Sequence, residues 1–323
     1  MASSSTTTTP APTTSNNDST IATTTTTPTA SYRSLSVESF KVMDVLRKAN
    51  ELQSSGKDVL HCEVGQPETG APKPVAQAAV TALSNPQCVM GYTDAFGLIE
   101  LRNKIKQHYK KKYTNLSNTE DDGDNSHNVP DINRIVVTTG SSGGFLLAFT
   151  SCFDVGDVIA IASSGSPCYR NILSALGCEL VIININDEFK LTAKELSEEI
   201  TRRSENPRGL KPIKGLILSS PSNPTGSMLT PNELKELCEL CDTTNIQFIS
   251  DEIYHGITYD GKEEATALQY SNKALIINSF SKYYSSKYYF YCMIEQIYLL
   301  VGAIVSSVCG FVAGVDVLVK TLL

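Results

Sequence analysis

Positive charge is in short supply in this sequence. Its 323 residues carry 27 Lys and Arg against 34 Asp and Glu, a net charge of −7. Phosphate contacts need clustered cations, so the balance argues against a basic nucleic-acid binder. Histidine is scarcer still. The four present are not paired at ligand spacing, which argues against a His-rich metal site. Nine cysteines at irregular spacing do not make a disulfide framework and point to a reducing compartment, a cytoplasmic one. Residues 1–30 have no aromatic residue and a single charge, Asp18, against 18 Ser or Thr. Such a segment cannot bury enough apolar surface to offset its ordering entropy and reads as disordered. The first Arg is Arg33, unlike a transit peptide, and no apolar stretch near the start is long enough for a secretory signal.

What is there is a chain 41% hydrophobic, enough for a packed core, and long enough for about two domains at roughly 100–200 residues each. The far end is unusual. Ile297 to Val315 is nineteen residues without a charge, near the length of a membrane-spanning helix, with Gly310 and Gly314 in a GxxxG spacing. A buried helix or strand is the plainer reading, and a tail outside the plan of the rest is a third.

Between the ends, short apolar runs alternate with helical periodicity. Helices are expected from a Ser39 cap to about Ser55, with Val42, Val45, Leu46 and Ala49 on one face, and over Lys73–Leu83 and Leu98–Tyr113. Strands are expected at Ile135–Val137, Val158–Ala162, Leu180–Ile183, Gly215–Leu218, Gln247–Ile249 and Leu275–Ile277. Helices at Gly144–Cys152, Ala193–Thr201 and Pro231–Cys241 fall between them. Doubly apolar strands alternating with helices imply an α/β fold, a doubly wound and mostly parallel sheet. Its ligand site belongs beyond the carboxyl ends of the strands. The acidic stretch 117–130 does not fit an EF-hand and reads as a solvated loop. Cys238 and Cys241, with no second pair, read as helix positions rather than a metal or redox site.

Four segments at predicted strand ends carry the chemistry. TTGSSGG (138–144) leads into a helix, and its small residues and helix N-terminus suit a phosphate. A plain helix cap is the alternative. SSPSNPTG (219–226) is either a rigid turn or a way to present the Asn223 amide at the sheet edge. SDEIYHG (250–256) places an acid directly after an apolar strand, aimed into the crevice or merely starting a helix. NSFSKYY (278–284) sets Lys282 between serines and tyrosines, either on the surface or at a site whose surroundings depress its pKa.

Together, in this order and spacing, SNPTG, SDEIY and SFSK resemble the fold-type I pyridoxal-phosphate enzymes, in particular the class I/II aminotransferases of the aspartate/aromatic/alanine branch. GQP at 65–67 and YTDAFGLIELR at 92–102 extend the resemblance over roughly Ser34 to Tyr284. It implies a reaction that moves an amino group between an amino acid and a 2-oxo acid. Lys282 would hold pyridoxal 5′-phosphate as a Schiff base and move a proton at the substrate's α-carbon. Asp251 would keep the pyridine nitrogen protonated, making the ring an electron sink. Asn223 and Tyr254 would hydrogen-bond the ring's phenolic oxygen, and Ser142, Gly143 and Ser279 would hold the phosphate. Tyr92 would reach a phosphate across a homodimer interface. Gly65 would lie in the loop closing over substrate, which Asn223 also borders. No metal is implied.

The sequence departs from the family in two places. The position that normally stacks an aromatic ring on the cofactor reads Ser166, within SGSPCYRNIL (164–173), while Tyr169 need not touch the ring. Losing the stack weakens cofactor binding by ~1 kcal/mol or more. The Gly-x-Arg expected after the lysine is absent, with Phe290 at the Arg position and no Arg anywhere beyond Arg208. A bidentate carboxylate clamp from the C-terminal part is therefore not available. The resulting division is 1–33 disordered, 34–64 an N-terminal segment of an incomplete small domain, 65–284 the cofactor-binding large domain, and 285–323 a hydrophobic tail outside the family pattern. Three readings of the tail stand open: a frame or splicing error in the coding sequence, a membrane anchor, or a degenerate relative without turnover. Another reaction of the same cofactor, such as C–S lysis, is the alternative activity.

Overall fold

A computed structural model describes residues 31–35, 37–64, 72–86, 92–113, 130–206, 208–284 and 310–313. Internal contacts divide the chain into Met1–Ser31 and Tyr32–Leu323, and all elements below belong to the second unit. In order they are α1 (Tyr32–Leu35), α2 (Lys41–Ser54), α3 (Lys73–Ser84), α4 (Ile99–Lys112), β1 (Ile135–Thr138), α5 (Gly140–Cys152), β2 (Val158–Ala162), α6 (Pro167–Leu176) and β3 (Glu179–Ile183). They continue with α7 (Ala193–Ser204), β4 (Ile213–Ser219), α8 (Pro231–Thr243), β5 (Gln247–Asp251), β6 (Leu275–Ser279), α9 (Phe280–Tyr283) and β7 (Gly310–Ala313).

The strands form one sheet in the order β1-β7-β6-β5-β4-β2-β3. β2, β3, β4, β5 and β6 run parallel to one another, and β7 lies antiparallel to both β1 and β6. Successive strand residues point to opposite faces, and both faces here are apolar. Ile135, Ala160, Leu216, Phe248 and Ile276 pack on one side with residues of α4, α7 and α8. Val136, Ile161, Ile217, Ile249 and Ile277 pack on the other with Phe145 and Phe149 of α5 and Leu173 of α6. The doubly wound sheet expected from the apolar runs is therefore present. A Cβ on Gly215 would come within 2.3 Å of the Phe153 ring, so β4 needs glycine where the helix-side residues press closest.

One expectation changes. Helix α2 starts after Phe40 without a side-chain cap, and Val45, placed on its apolar face, is 53% exposed. Of the readings open for the uncharged stretch, a buried strand is the one that its four described residues take. Gly310–Ala313 pairs Ala313 with Ile135 and Ile276, and Gly310 with Thr138 and Ser279. An uncharged apolar stretch suits a strand flanked on both sides as well as it suits a membrane helix. Gly310, the first residue of the GxxxG spacing, is thus in a strand. Among the described residues no helix is long and apolar enough to cross a membrane. Residues 117–129, 297–309 and 314–315 lie outside the described residues. Cys238 and Cys241 are buried in the core-facing side of α8, where burial pushes both thiols up.

Candidate active site

The parallel register brings the chemistry-bearing segments to one edge. Ser219, the last residue of β4, pairs with Asp251, the last of β5, and Asp251 pairs with Ile277 of β6. β1 ends at Thr138, directly before the N-terminus of α5. Each strand hands over to its loop at this carboxyl edge, where the open end of a parallel sheet binds ligands.

Asp251 lies at the base, 4% exposed. Its Oδ1 accepts from the Ile253 N–H at 3.1 Å, and its Oδ2 accepts from the Tyr169 hydroxyl. Burial raises its carboxyl from the ordinary 3.8 to about 6, partly opposed by the Tyr169 hydrogen bond, the Ile253 amide and the nearby Lys282 charge. Tyr169 comes from α6, is 3% exposed, and rests its ring 5.0 Å from that of Phe145. Burial and the Asp251 charge push its hydroxyl well up, so it stays a donor.

Above the acid, the Asn223 amide donates to the Tyr254 hydroxyl at 3.0 Å. Asn223 sits in a strapped turn. Gly226, at φ +68°, donates its N–H to the Ser222 carbonyl at 2.8 Å, and Ser222 donates to the Ser227 carbonyl at 2.9 Å. The Ser220–Pro221 and Asn223–Pro224 bonds are both cis. The Lys282 ammonium lies 5.6 Å from the centre of the Tyr254 ring. Burial, then the Asp251 charge, raises the Tyr254 hydroxyl. At Gly256, φ +92°, a Cβ would meet the Tyr283 ring at 2.5 Å, so glycine lets the lysine-bearing turn lie against the SDEIYHG loop.

Ser142 and Gly143 stand in the first turn of α5, whose N-terminal residue Thr139 makes no side-chain cap. A Cβ on Gly143 would come within 3.0 Å of Thr139 Oγ1. Ser142 Oγ faces Cys168 Sγ at 3.8 Å, which brings α5 beside the start of α6. The Ser279 hydroxyl accepts from the Ser281 N–H at 3.1 Å and pairs with the Ser281 hydroxyl at 2.9 Å, capping α9. Ser142, Gly143, Asn223, Asp251, Tyr254, Ser279 and Lys282 thus share the sheet's carboxyl edge. Tyr92 is fully exposed on this chain. Gly65 lies outside the described residues.

Two residues at the edge have roles the sequence did not reveal. Tyr169, not expected to touch the ring, grips Asp251. Ser166, at the expected stacking position, is the N-cap of α6 and accepts from the Cys168 N–H at 3.3 Å.

The residues fit pyridoxal phosphate. An uncapped helix N-terminus with a glycine in its first turn suits the phosphate. A buried carboxylate held by neutral donors, and raised for want of solvation, suits a protonated ring nitrogen.

The family model for class I and II aminotransferases matches residues 57–287. A valine–pyruvate aminotransferase from Mycobacterium tuberculosis is 44% identical over 252 residues, covering 77% of this chain and 58% of the relative. A (5-formylfuran-3-yl)methyl phosphate transaminase from Methanocaldococcus jannaschii is 34% identical over 258 residues, covering 79% and 60%. The chain thus spans less than two thirds of the length of either relative. The crystal structure of an aminotransferase from M. tuberculosis superposes with a TM-score of 0.72 at 38% identity, over 92% of this chain and 66% of that one. An aspartate aminotransferase from Thermus thermophilus with maleate gives 0.72 at 22% identity, over 92% and 67%, a likeness of fold. The strand-edge acid, the asparagine turn, the uncapped helix and the lysine turn therefore stand in a chain that belongs to the class I and II aminotransferase family of pyridoxal-phosphate enzymes.

Proposed function

We propose that this chain carries the cofactor half of an aminotransferase that exchanges an amino group between an amino acid and a 2-oxo acid. The observation that carries the reading is the convergence on Asp251. A buried, hydrogen-bonded carboxylate shares the sheet's carboxyl edge with Lys282, the Asn223–Tyr254 pair and the uncapped start of α5. Bound there, pyridoxal phosphate supplies an electron sink for the bond broken at the substrate's α-carbon.

The residues divide the work. Asp251 accepts a hydrogen bond from the ring nitrogen and keeps it protonated, and Tyr169 holds the carboxylate in place. The open N–H groups at the start of α5, that of Ser142 among them, would bind the phosphate beside Gly143, with Ser279 shaping the turn beneath. Asn223 and Tyr254 bind the ring oxygen. Lys282 anchors the cofactor and then moves a proton at the α-carbon. Asn223 also borders the substrate. A homodimer, with Tyr92 reaching the partner's phosphate, completes the reading and is supported by the full exposure of Tyr92.

Purified chain mixed with pyridoxal phosphate should gain a visible absorbance band, and borohydride should fix the cofactor to Lys282, located by peptide mass. Lys282→Ala should lose both the fixed cofactor and any transamination. No band and no labelled lysine in the parent chain would sink the reading.

A further inference from the structure

Next to Asp251 in the chain begins a second group of buried polar side chains that the proposed roles do not use. Tyr109 of α4 is 0% exposed and Glu252 is 1% exposed. The Tyr109 hydroxyl donates toward Glu252 Oε2 at 3.5 Å and accepts from the Asn278 amide at 2.9 Å. Asn278 in turn accepts from the Ser279 N–H at 2.7 Å through its side-chain oxygen. Ser279 caps α9, the turn that carries Lys282. Glu252 is itself fixed: its Oε1 accepts from the Thr266 hydroxyl at 2.9 Å, the Ala267 N–H at 3.0 Å and the Ser250 hydroxyl at 3.2 Å.

We propose that Tyr109 is a positioning residue for the lysine turn: held against Glu252, its hydroxyl orients the Asn278 amide and, through it, Ser279 and the turn that aims Lys282. The inference rests on the cofactor reading above. A phenol serves better than an alcohol here, because its ring is anchored in the core while its oxygen bridges the ends of β5 and β6. Glu252 follows Asp251 directly, so the same anchor ties the acid's strand end to the lysine's strand end. The Glu252 N–H also donates to the Ile277 carbonyl at 2.8 Å, fastening the two strand ends by backbone.

The test is Tyr109→Phe, which keeps the buried ring and removes one oxygen. Loss of one net hydrogen bond in the positioning chain should loosen pyridoxal phosphate by about 3- to 10-fold in equilibrium dialysis. It should also move the pH midpoint of the bound cofactor's absorbance band, because Lys282 is no longer held in the same direction. A lower melting temperature with an unmoved midpoint would make Tyr109 structural only and overturn the proposal. Asn278→Ala should reproduce both changes, and the double variant should be no worse than the weaker-binding single one. Additive losses would break the proposed chain. If Tyr109→Phe does not fold, Asn278→Ala carries the test alone, and parent-like affinity and midpoint in it would overturn the inference. A parent chain that binds no cofactor refutes the aminotransferase reading instead, so the two failures are distinguishable.

Discussion

At the scale of single residues, Asp251 and Tyr169 set the behaviour of the sheet's carboxyl edge. Without a cation at the ring-nitrogen position, Asp251 is a buried acid whose folded pKa, about 6, exceeds its ordinary 3.8. Between those values the folded chain binds the extra proton, so this group favours folding more as pH falls. Asp251→Asn removes that dependence. In the cofactor-free chain the variant should hold a stability advantage at pH 7 that shrinks by roughly 1–2 kcal/mol by pH 5, read from denaturant midpoints at each pH. A gap constant with pH would show that Asp251 does not titrate in this range. Tyr169→Phe should act in the opposite sense on the carboxylate. It deletes a donor to a buried acid, costing about 1–3 kcal/mol at pH 7 and moving the titration of Asp251 upward. The measurement is carboxyl NMR of Asp251, and an unchanged titration would refute the role given to Tyr169.

At the scale of elements, β7 decides whether the sheet is continuous. Without Gly310–Ala313, β1 and β6 would face each other across an empty strand position, leaving two rows of backbone groups unpaired. Val312 pairs with both Val136 and Ile277. Proline there removes an inner-strand donor, so Val312→Pro should destabilise the chain by about 3 kcal/mol or more, seen as a lower thermal midpoint. Unchanged stability would mean that β7 adds little to the sheet. This strand also marks where legibility ended. β2 was readable to the residue because Val158–Ala162 is apolar on both faces and bounded by polar turns. β7 was not, because four residues inside a long uncharged run carry no period of their own. Helix α6 carries ordinary helix signals at its start, Ser166-Pro167, and at its left-handed end, Gly177 at φ +81°. The motif residues Asn223, Asp251 and Lys282 were visible because each follows an apolar strand. The tyrosine partners were not, since Tyr169 and Asp251 lie 82 residues apart and Tyr109 and Glu252 lie 143 apart. No local pattern encodes contacts at such separations.

At the scale of the whole molecule, the proposed homodimer makes a demand on where a complete site comes from. Lys282 stands beside Tyr254 of its own chain, whereas Tyr92 projects fully into solvent. If each site draws its lysine from one subunit and its tyrosine from the other, two defective variants should repair each other. Lys282→Ala keeps a good Tyr92 and lacks the anchor. Tyr92→Phe keeps the anchor and lacks one hydroxyl contact to the phosphate, weakening cofactor binding by about 3- to 10-fold. In a mixed dimer, the Tyr92→Phe subunit receives the intact Tyr92 of its Lys282→Ala partner, so that site has both groups. Refolding the two variants together should therefore produce sites of parent-like affinity in dialysis, absent from either variant alone. A mixture in which every lysine-bearing site stays weak, while ultracentrifugation shows mixed dimers, would place the action of Tyr92 within its own chain. A chain that sediments as a monomer with cofactor bound would remove the shared site altogether.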